Sequence, residues 1–268
     1  MKNLDLIKKE FLDIYNFLRN FTQEDILQGN NKEICFYFNR LNNLAAMDIY
    51  DYEAENIRCD PEFQHIIKHI SELKRVNGLR MEIENARDII KASLPWDILN
   101  KFVYVPNYLE LARMEYHGGN LTIGDRVVFL GSGPLPLSLI FLYTQYGIKS
   151  IGIEQTSEYA ELSQEIINVL KLKEHICIIQ GNHFSLPLEQ DCQLIMIGAD
   201  ALPKHEIFNH LTKVLPEKTR LSYRIYEKGL RCLLDIQSFF ELPPEFKEYR
   251  RIRPNPPVNN TSVFVIKK

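Results

Sequence analysis

The chain has 268 residues, enough to bury a hydrophobic core, and we expect it to fold as two domains of modest size. Hydrophobic residues make up 45% of the chain and charged residues 25%, a balance that argues against extensive disorder. The 32 lysines and arginines against 35 aspartates and glutamates give a formal net charge of -3, so no global positive field attracts nucleic acid or an anionic membrane, and we expect a small-molecule substrate.

The cysteines and the N-terminal residues indicate a cytoplasmic protein. The five cysteines have no C-x-x-C spacing and predict neither a zinc site nor a disulfide framework. Asp5 and Glu10, without an apolar run after the early lysines, do not fit a targeting segment, and no apolar stretch reaches the about 18 residues of a membrane-spanning helix. His65 and His69 are four residues apart on a predicted helix, but no third ligand accompanies them. We therefore interpret them as surface residues and expect no protein-bound metal.

The first part of the chain predicts amphipathic helices. Apolar residues recur at intervals of three and four over residues 3–20, 34–49, 62–76 and 79–94, and glycine is scarce in all four segments. Gly118-Gly119-Asn120 marks the end of this pattern. We therefore predict a helical domain over residues 1–118 and a second domain over residues 119–268.

The second domain alternates strand-length apolar runs with helix-length segments. The five runs are residues 126–130, 150–153, 176–179, 194–197 and 220–226. This alternation predicts βαβ units and a mainly parallel sheet. Residues 246–253 and 262–267, joined by a short Pro/Asn loop, fit a closing antiparallel hairpin. The predicted fold is α/β, a class I S-adenosylmethionine-dependent methyltransferase-like Rossmann domain preceded by the helical domain.

A glycine-containing turn lies between the first predicted strand and its helix. Gly131, Ser132, Gly133 and Pro134 follow the strand directly. The two glycines permit a tight turn and close approach of a ligand to the backbone. The third glycine of the dinucleotide pattern is absent, which disfavours NAD or FAD, whereas S-adenosylmethionine has no phosphate to bind. A plain turn between strand and helix is the alternative.

Other candidate residues follow the later strands, at the edge where ligands of open α/β sheets bind. Glu154, 23 residues after Gly131, is placed to accept hydrogen bonds from a ribose diol, or is a solvated loop carboxylate. Asn182 is a candidate contact at the edge of the adenine ring, or an ordinary turn residue. Ala199 is a candidate cofactor contact, and Asp200 either faces the substrate or cofactor or is the N-cap of the next helix.

Arg224, at the end of the fifth predicted strand, is a candidate ligand for a substrate carboxylate. Its planar guanidinium can donate two parallel hydrogen bonds to the two carboxylate oxygens. A surface ion pair is the favoured alternative.

The glycine turn and three further segments resemble one known family. The run Phe129-Leu130-Gly131-Ser132-Gly133-Pro134-Leu135-Pro136-Leu137 closely resembles the glycine loop of nicotianamine synthases. Asn107-Tyr108-Leu109 is similar to the N-Y-x-x-L segment of that family, residues 82–88 to its acidic helix with paired glutamates, and residues 260–268 to its closing strand. The resemblance covers about residues 79–268.

The resemblance implies an activity. Nicotianamine synthases, and their bacterial relatives that make opine metallophores such as staphylopine, transfer the 3-amino-3-carboxypropyl (aminobutanoate) group of S-adenosylmethionine and release methylthioadenosine. It therefore implies S-adenosylmethionine as a co-substrate and an amino acid as the acceptor, histidine by analogy with the bacterial relatives. Metal would be captured by the small product. The oligomeric state stays open, a homodimer included.

The resemblance also implies catalytic residues. Glu84 is the expected base that removes a proton from the acceptor ammonium, with Glu82 as its competitor, and Tyr108 is an expected hydrogen-bond donor. Glu82 and Glu84 lie two residues apart on one helix, so only one of them can face a cleft. The residues alone also allow both glutamates to be solvated and Tyr108 to be a packed core aromatic.

Two departures from the family affect the acceptor. Gly152-Ile153-Glu154-Gln155 stands where plant members carry an aspartate-rich segment, and residues 224–231 lack the histidine of an R-x-x-H-G type segment. The alternatives are a nicotianamine synthase that condenses three cofactor molecules, an ordinary small-molecule methyltransferase, and a non-catalytic sensor of S-adenosylmethionine.

Overall fold

The computed structural model describes residues 2–29, 32–47, 49–188, 191–235 and 240–268. The chain divides into two compact units. The first comprises Met1–Met81 with Tyr226–Ile236, and the second comprises Glu82–Ile225 with Gln237–Lys268.

The first unit is helical. Its helices are α1 (Lys2–Leu18), α2 (Gln23–Gln28), α3 (Lys32–Ala45), α4 (Asp51–Arg58) and the first two thirds of α5 (Pro61–Lys91). The buried core consists of the apolar faces of these helices, with Phe11, Phe38 and Ile67 among its residues. A 3-10 turn, Gly229–Leu233, packs against α3 and α4. The two helical segments predicted over residues 62–76 and 79–94 form one continuous helix, which passes through Gly78 and ends at Lys91.

The second unit holds the sheet. After the end of α5 come two helices, α6 (Pro95–Lys101) and α7 (Val105–Gly118). The remaining elements, in chain order, are β1 (Arg126–Leu130), α8 (Leu137–Tyr146), β2 (Lys149–Glu154), α9 (Ser157–Val169), β3 (Ile176–Gln180), β4 (Leu194–Ile197), α10 (Lys204–Val214), β5 (Arg220–Ile225), β6 (Phe246–Ile252) and β7 (Thr261–Lys267). The seven strands lie in the order β3-β2-β1-β4-β5-β7-β6, with β7 antiparallel to both of its neighbours. This is the class I methyltransferase topology, so the predicted fold is confirmed.

The register brings the carboxyl ends of the central strands to one edge. Leu130 at the end of β1 pairs with Ile153 of β2 on one side and Ile197 of β4 on the other. The strand order reverses between β1 and β4, and the crevice outside such a switch point is where open α/β sheets bind ligands. The loops after β1, β2 and β4 therefore form the natural position for a site.

The division between the units differs from the boundary expected between residues 118 and 119. Helix α7 belongs to the second unit because it packs against α8 and β7, and Phe264 of β7 occupies the space beside Gly118. Within the described ranges, the helices are all too short or too polar to cross a membrane.

Candidate active site

The turn after β1 is held in a left-handed conformation at two positions. Gly131 has a φ of 78° and Gly133 a φ of 72°, values that glycine adopts without strain. The backbone amides of Gly131 and Ser132 donate to the carbonyl of Ile153, at 2.9 and 3.2 Å. The side chains of Ser132 and Pro134 point into the protein and are buried, whereas Gly131 is exposed. The open side of the turn therefore presents backbone rather than side chains.

Glu154 closes this turn from the neighbouring strand. One carboxylate oxygen accepts a hydrogen bond from the backbone amide of Gly133 at 3.0 Å, and the other accepts one from the amide of Thr156 at 2.9 Å. Glu154 is only 7% exposed, so the alternative of a solvated loop carboxylate is wrong. The parallel pairing of β2 with β1 and β3 places this carboxylate beside the glycine turn.

Glu82 and Tyr108 meet beside the same turn. The Tyr108 hydroxyl donates to Glu82 Oε1 at 3.0 Å, joining α5 to α7. Glu82 Oε2 lies 3.2 Å from the position that a Cβ atom on Gly133 would occupy. Tyr108 is half-buried, and its ring packs beside Leu111, Met114 and Val258. The ring thus contributes to the core, while the hydroxyl donates a hydrogen bond to the Glu82 carboxylate.

The surroundings of Glu82 favour its protonated form. The pKa of Glu82 is raised to about 8 in total. Loss of hydration is the largest cause, the hydrogen bond from Tyr108 lowers the pKa, and the negative charges of Asp200 and Glu154 raise it. A carboxyl group with such a pKa can both accept and release a proton near neutral pH.

Glu84 lies elsewhere. It follows Glu82 by two positions on α5, a rotation of about 200° around the helix, and it is exposed. The structure therefore brings Glu82, not Glu84, to Tyr108 and the glycine turn, which reverses the order of preference between the two glutamates.

The loop after β4 lies against the turn. The Cβ atom of Ala201 is 3.1 Å from the position of a Cβ on Gly131, and the amide of Gly198 donates to the carbonyl of Leu130 at 3.0 Å. Ala199 is half-buried and Asp200 is exposed. Helix α10 begins at Lys204 with Pro203 as its N-cap, so the interpretation of Asp200 as an N-cap is wrong.

Asn182 caps the 3-10 turn His183–Ser185 that follows β3. Its side-chain oxygen accepts a hydrogen bond from the amide of Phe184 at 3.0 Å, and the residue is exposed. Because the side-chain oxygen of Asn182 accepts this hydrogen bond, its NH₂ group is the part that can donate to a ligand.

Arg224 belongs to a buried network that the sequence did not indicate. Its Nε donates to Glu115 Oε1 at 3.2 Å and its Nη1 to Ser138 Oγ at 2.9 Å, while Phe129 lies beneath the guanidinium. Ser222 and Ser262 donate to the same Glu115 carboxylate, at 2.6 and 3.2 Å. Arg224 is 4% and Glu115 0% exposed, so the expected surface ion pair is wrong. Glu115 was missed because its position on α7 carries no motif.

The two histidines of the first unit contact an aromatic ring. His65 is exposed and His69 half-buried, and both meet the edge of Tyr15 at centroid distances of 5.8 Å. Among the residues that the structure describes, no three His, Cys, Asp or Glu side chains are grouped as metal ligands.

Comparisons with known proteins give the family. A sequence model described as "Nicotianamine synthase protein" matches residues 1–268. Nicotianamine synthase-like 5 protein of Hordeum vulgare is 43% identical over 105 residues, which cover 38% of this chain and 37% of the relative. Nicotianamine synthase 2 of Arabidopsis thaliana is 26% identical over 150 residues, 52% of this chain and 43% of the relative. The chain thus matches less than half the length of these two curated relatives.

Two solved structures match over nearly the whole chain. MtNAS in complex with MTA and tNA has a TM-score of 0.86 and 28% identity, covering 98% of this chain and 97% of the other. A Glu-to-Gln mutant of MtNAS in complex with S-adenosylmethionine has a TM-score of 0.85 and 27% identity, covering 97% of each. The chain therefore belongs to the nicotianamine synthase family.

Proposed function

We propose that this chain transfers the 3-amino-3-carboxypropyl group of S-adenosylmethionine to the amine of an amino acid and releases methylthioadenosine. The observation that carries the proposal is the pairing of Glu82 with Tyr108 directly beside Gly133. A carboxyl group that can take up a proton thus stands next to the turn where the cofactor binds.

The turn Gly131-Ser132-Gly133-Pro134 and Glu154 hold the cofactor in this proposal. The exposed backbone of the turn receives the nucleoside, and the Glu154 carboxylate accepts hydrogen bonds from the ribose hydroxyls with the lone pairs that Gly133 and Thr156 leave free. In this proposal Asn182 and Ala199 lie at the edge of the adenine ring. The S-adenosylmethionine complex of the similar MtNAS mutant supports this choice of cofactor.

The carboxylates near the turn suit a cationic ligand. Glu154 and Asp200 act electrostatically on Glu82, so three acidic groups influence one small region. A sulfonium and an acceptor ammonium both carry positive charge, and such a region lowers the free energy of their approach.

The proposed reaction is a substitution at carbon. The Glu82 carboxylate takes a proton from the acceptor ammonium, and the freed nitrogen lone pair attacks the carbon of the aminobutanoate arm that is bonded to sulfur. The carbon–sulfur bond breaks, its electron pair stays on sulfur, and the sulfonium becomes the neutral thioether of methylthioadenosine. Orientation decides which of the three carbons on sulfur is attacked.

Tyr108 holds Glu82 in place through its hydroxyl. Asp200 and Arg224 were expected substrate contacts. Exposed Asp200 keeps this role in the proposal, whereas Arg224 does not, because its buried guanidinium is bound to Glu115 and Ser138.

Histidine is our first proposed acceptor, from the resemblance to opine-metallophore synthases. The second is another S-adenosylmethionine molecule or its aminobutanoate product, as in a nicotianamine synthase that condenses three cofactor molecules. The match to MtNAS with MTA and tNA, and the plant relatives, favour this second candidate.

One incubation tests these alternatives. The protein is mixed with S-adenosylmethionine, alone and with a panel of amino acids, and the nucleoside and amino products are identified by mass spectrometry. Methylthioadenosine supports the proposed transfer, and S-adenosylhomocysteine would show an ordinary methyltransferase instead. A histidine adduct supports the first acceptor, and a nicotianamine-type product without added amino acid supports the second. Cofactor binding without release of any nucleoside would indicate a sensor.

Substituting Gly133 by alanine is expected to weaken S-adenosylmethionine binding by about tenfold or more, because a Cβ there strains the backbone and crowds the Glu82 carboxylate. Isothermal titration calorimetry measures the change. Gly124→Ala is the matched control, since Gly124 also has a positive φ of 90° but nothing within 4 Å of its Cβ position. Equal binding by wild type and Gly133→Ala would show that the turn does not hold the cofactor.

The pKa of Glu82 predicts how the rate depends on pH. The carboxylate is the active form of the base, so kcat/KM is expected to fall as the pH drops below about 8. The bound sulfonium favours the carboxylate, so the corresponding midpoint in kcat should lie at lower pH than that in kcat/KM. The pH profile is recorded with two acceptors whose amines differ in pKa. A midpoint that belongs to Glu82 is the same with both acceptors, whereas a midpoint that belongs to the acceptor amine shifts with its pKa. A kcat/KM that is independent of pH would contradict the assignment of Glu82.

A further inference from the structure

Lys204, the first residue of α10, occupies a position that lysine rarely takes. The side chain is 1% exposed. Its Nζ donates to the carbonyl oxygens of Gly198 at 3.1 Å, Ala199 at 2.6 Å and Ala201 at 3.3 Å. Backbone carbonyls of the preceding loop thus converge on one buried ammonium group, which compensates for the loss of water around both partners.

The loop that Lys204 holds lies against the glycine turn. Residues 198–201 connect β4 to the residues before α10, and Ala201 contacts the position of a Gly131 Cβ at 3.1 Å. The amide of Gly198 is bound to the carbonyl of Leu130, the residue before Gly131. The same loop carries Ala199 and Asp200. Any change in its path therefore changes one wall of the turn.

We propose that Lys204 is a positioning residue that fixes the loop 198–201 and thereby the shape of the S-adenosylmethionine site. The inference rests on the proposed function, because it takes the glycine turn to be the cofactor site. Three carbonyl groups that point toward one another repel and lose their hydration unless a cation lies between them. Without the ammonium group the loop must turn its carbonyls away, and Ala201 must move relative to Gly131.

Lys267 provides a matched control. Its Nζ donates to the carbonyls of Thr212, at 2.7 Å, and Leu215, at the opposite end of the same helix α10. Both ammonium groups bind backbone carbonyls at an end of α10, but Lys267 is half-buried and the carbonyls that it binds do not adjoin the glycine turn. Lys267→Met should therefore lower stability, by less than Lys204→Met does, and leave binding of the cofactor unchanged.

The test compares Lys204→Met with Lys267→Met and wild type in the full-length protein. Lys204→Met is expected to raise both the Kd for S-adenosylmethionine and its KM by about tenfold, with a smaller change in kcat, while Lys267→Met leaves them within about twofold of wild type. Melting temperatures recorded for both variants measure the loss of stability in each, so that it can be separated from the effect on the cofactor. If Lys204→Met does not fold, Lys204→Arg replaces it, because the bulkier guanidinium displaces the same carbonyls and should also raise KM selectively.

Two results would overturn separate statements. A Lys204 variant that is less stable but binds S-adenosylmethionine as wild type does would overturn the inference about Lys204. A wild-type protein that fails to bind S-adenosylmethionine would overturn the proposed function itself.

Discussion

Glu82→Gln is expected to lower kcat for the transfer by about 100-fold or more, while it weakens the binding of S-adenosylmethionine by no more than about threefold. The amide has almost the size of the carboxyl group and can still accept the hydrogen bond from Tyr108, but it cannot take a proton from the acceptor. Single-turnover release of methylthioadenosine measures the chemical step, and calorimetry measures cofactor binding.

Glu84→Gln is the control for this experiment. Glu84 is on the same helix, two positions further on, and is exposed, so its substitution should leave both kcat and cofactor affinity unchanged. If Glu84→Gln loses the activity and Glu82→Gln keeps it, Glu84 is the base, as the family resemblance first indicated.

Arg224→Met is expected to lower the free energy of unfolding by about 3–5 kcal/mol, because it leaves the fully buried Glu115 carboxylate without its cation. The hydroxyls of Ser222 and Ser262 still donate to Glu115, but neither carries a compensating charge. Urea denaturation followed by circular dichroism gives the change in free energy.

The pair Glu110 and Arg113 controls for the loss of an arginine as such. Arg113 is more than half exposed, and its ion pair joins neighbouring turns of α7, so Arg113→Met should cost at most about 1 kcal/mol. The double variant Glu115→Leu with Arg224→Met should recover part of the loss, because it removes both buried charges. Equal costs for Arg224→Met and Arg113→Met would show that burial of the Glu115–Arg224 pair does not matter for stability.

The sheet and the glycine turn were predictable because their signals are local. The central strands β1, β2, β4 and β5 are buried along most of their length and appear as continuous apolar runs. All five parallel strands and the closing hairpin lie within two residues of their predicted positions. Gly131 and Gly133 adopt the left-handed conformation that a tight turn requires. These features depend on residues adjacent in sequence.

The contacts within the site were less predictable because they join distant residues. Tyr108 meets Glu82 across 26 positions, and Arg224 meets Glu115 across 109. Helical periodicity shows which side chains share a face but not what that face packs against. An arginine at a strand end therefore suggested a surface pair, and the choice between Glu82 and Glu84 needed the three-dimensional arrangement.

The segment Tyr226–Ile236 follows β5 directly yet belongs to the helical unit. Its side chains Leu230, Cys232, Leu233 and Leu234 are part of the same apolar core as α1 to α5, and the amide of Gly229 donates to Asp51 at 2.9 Å. A truncated polypeptide that ended before Glu82 would leave the surface they cover open to water. Neither unit thus corresponds to one uninterrupted stretch of the gene, and any exchange of helical parts between relatives has to carry two coding regions.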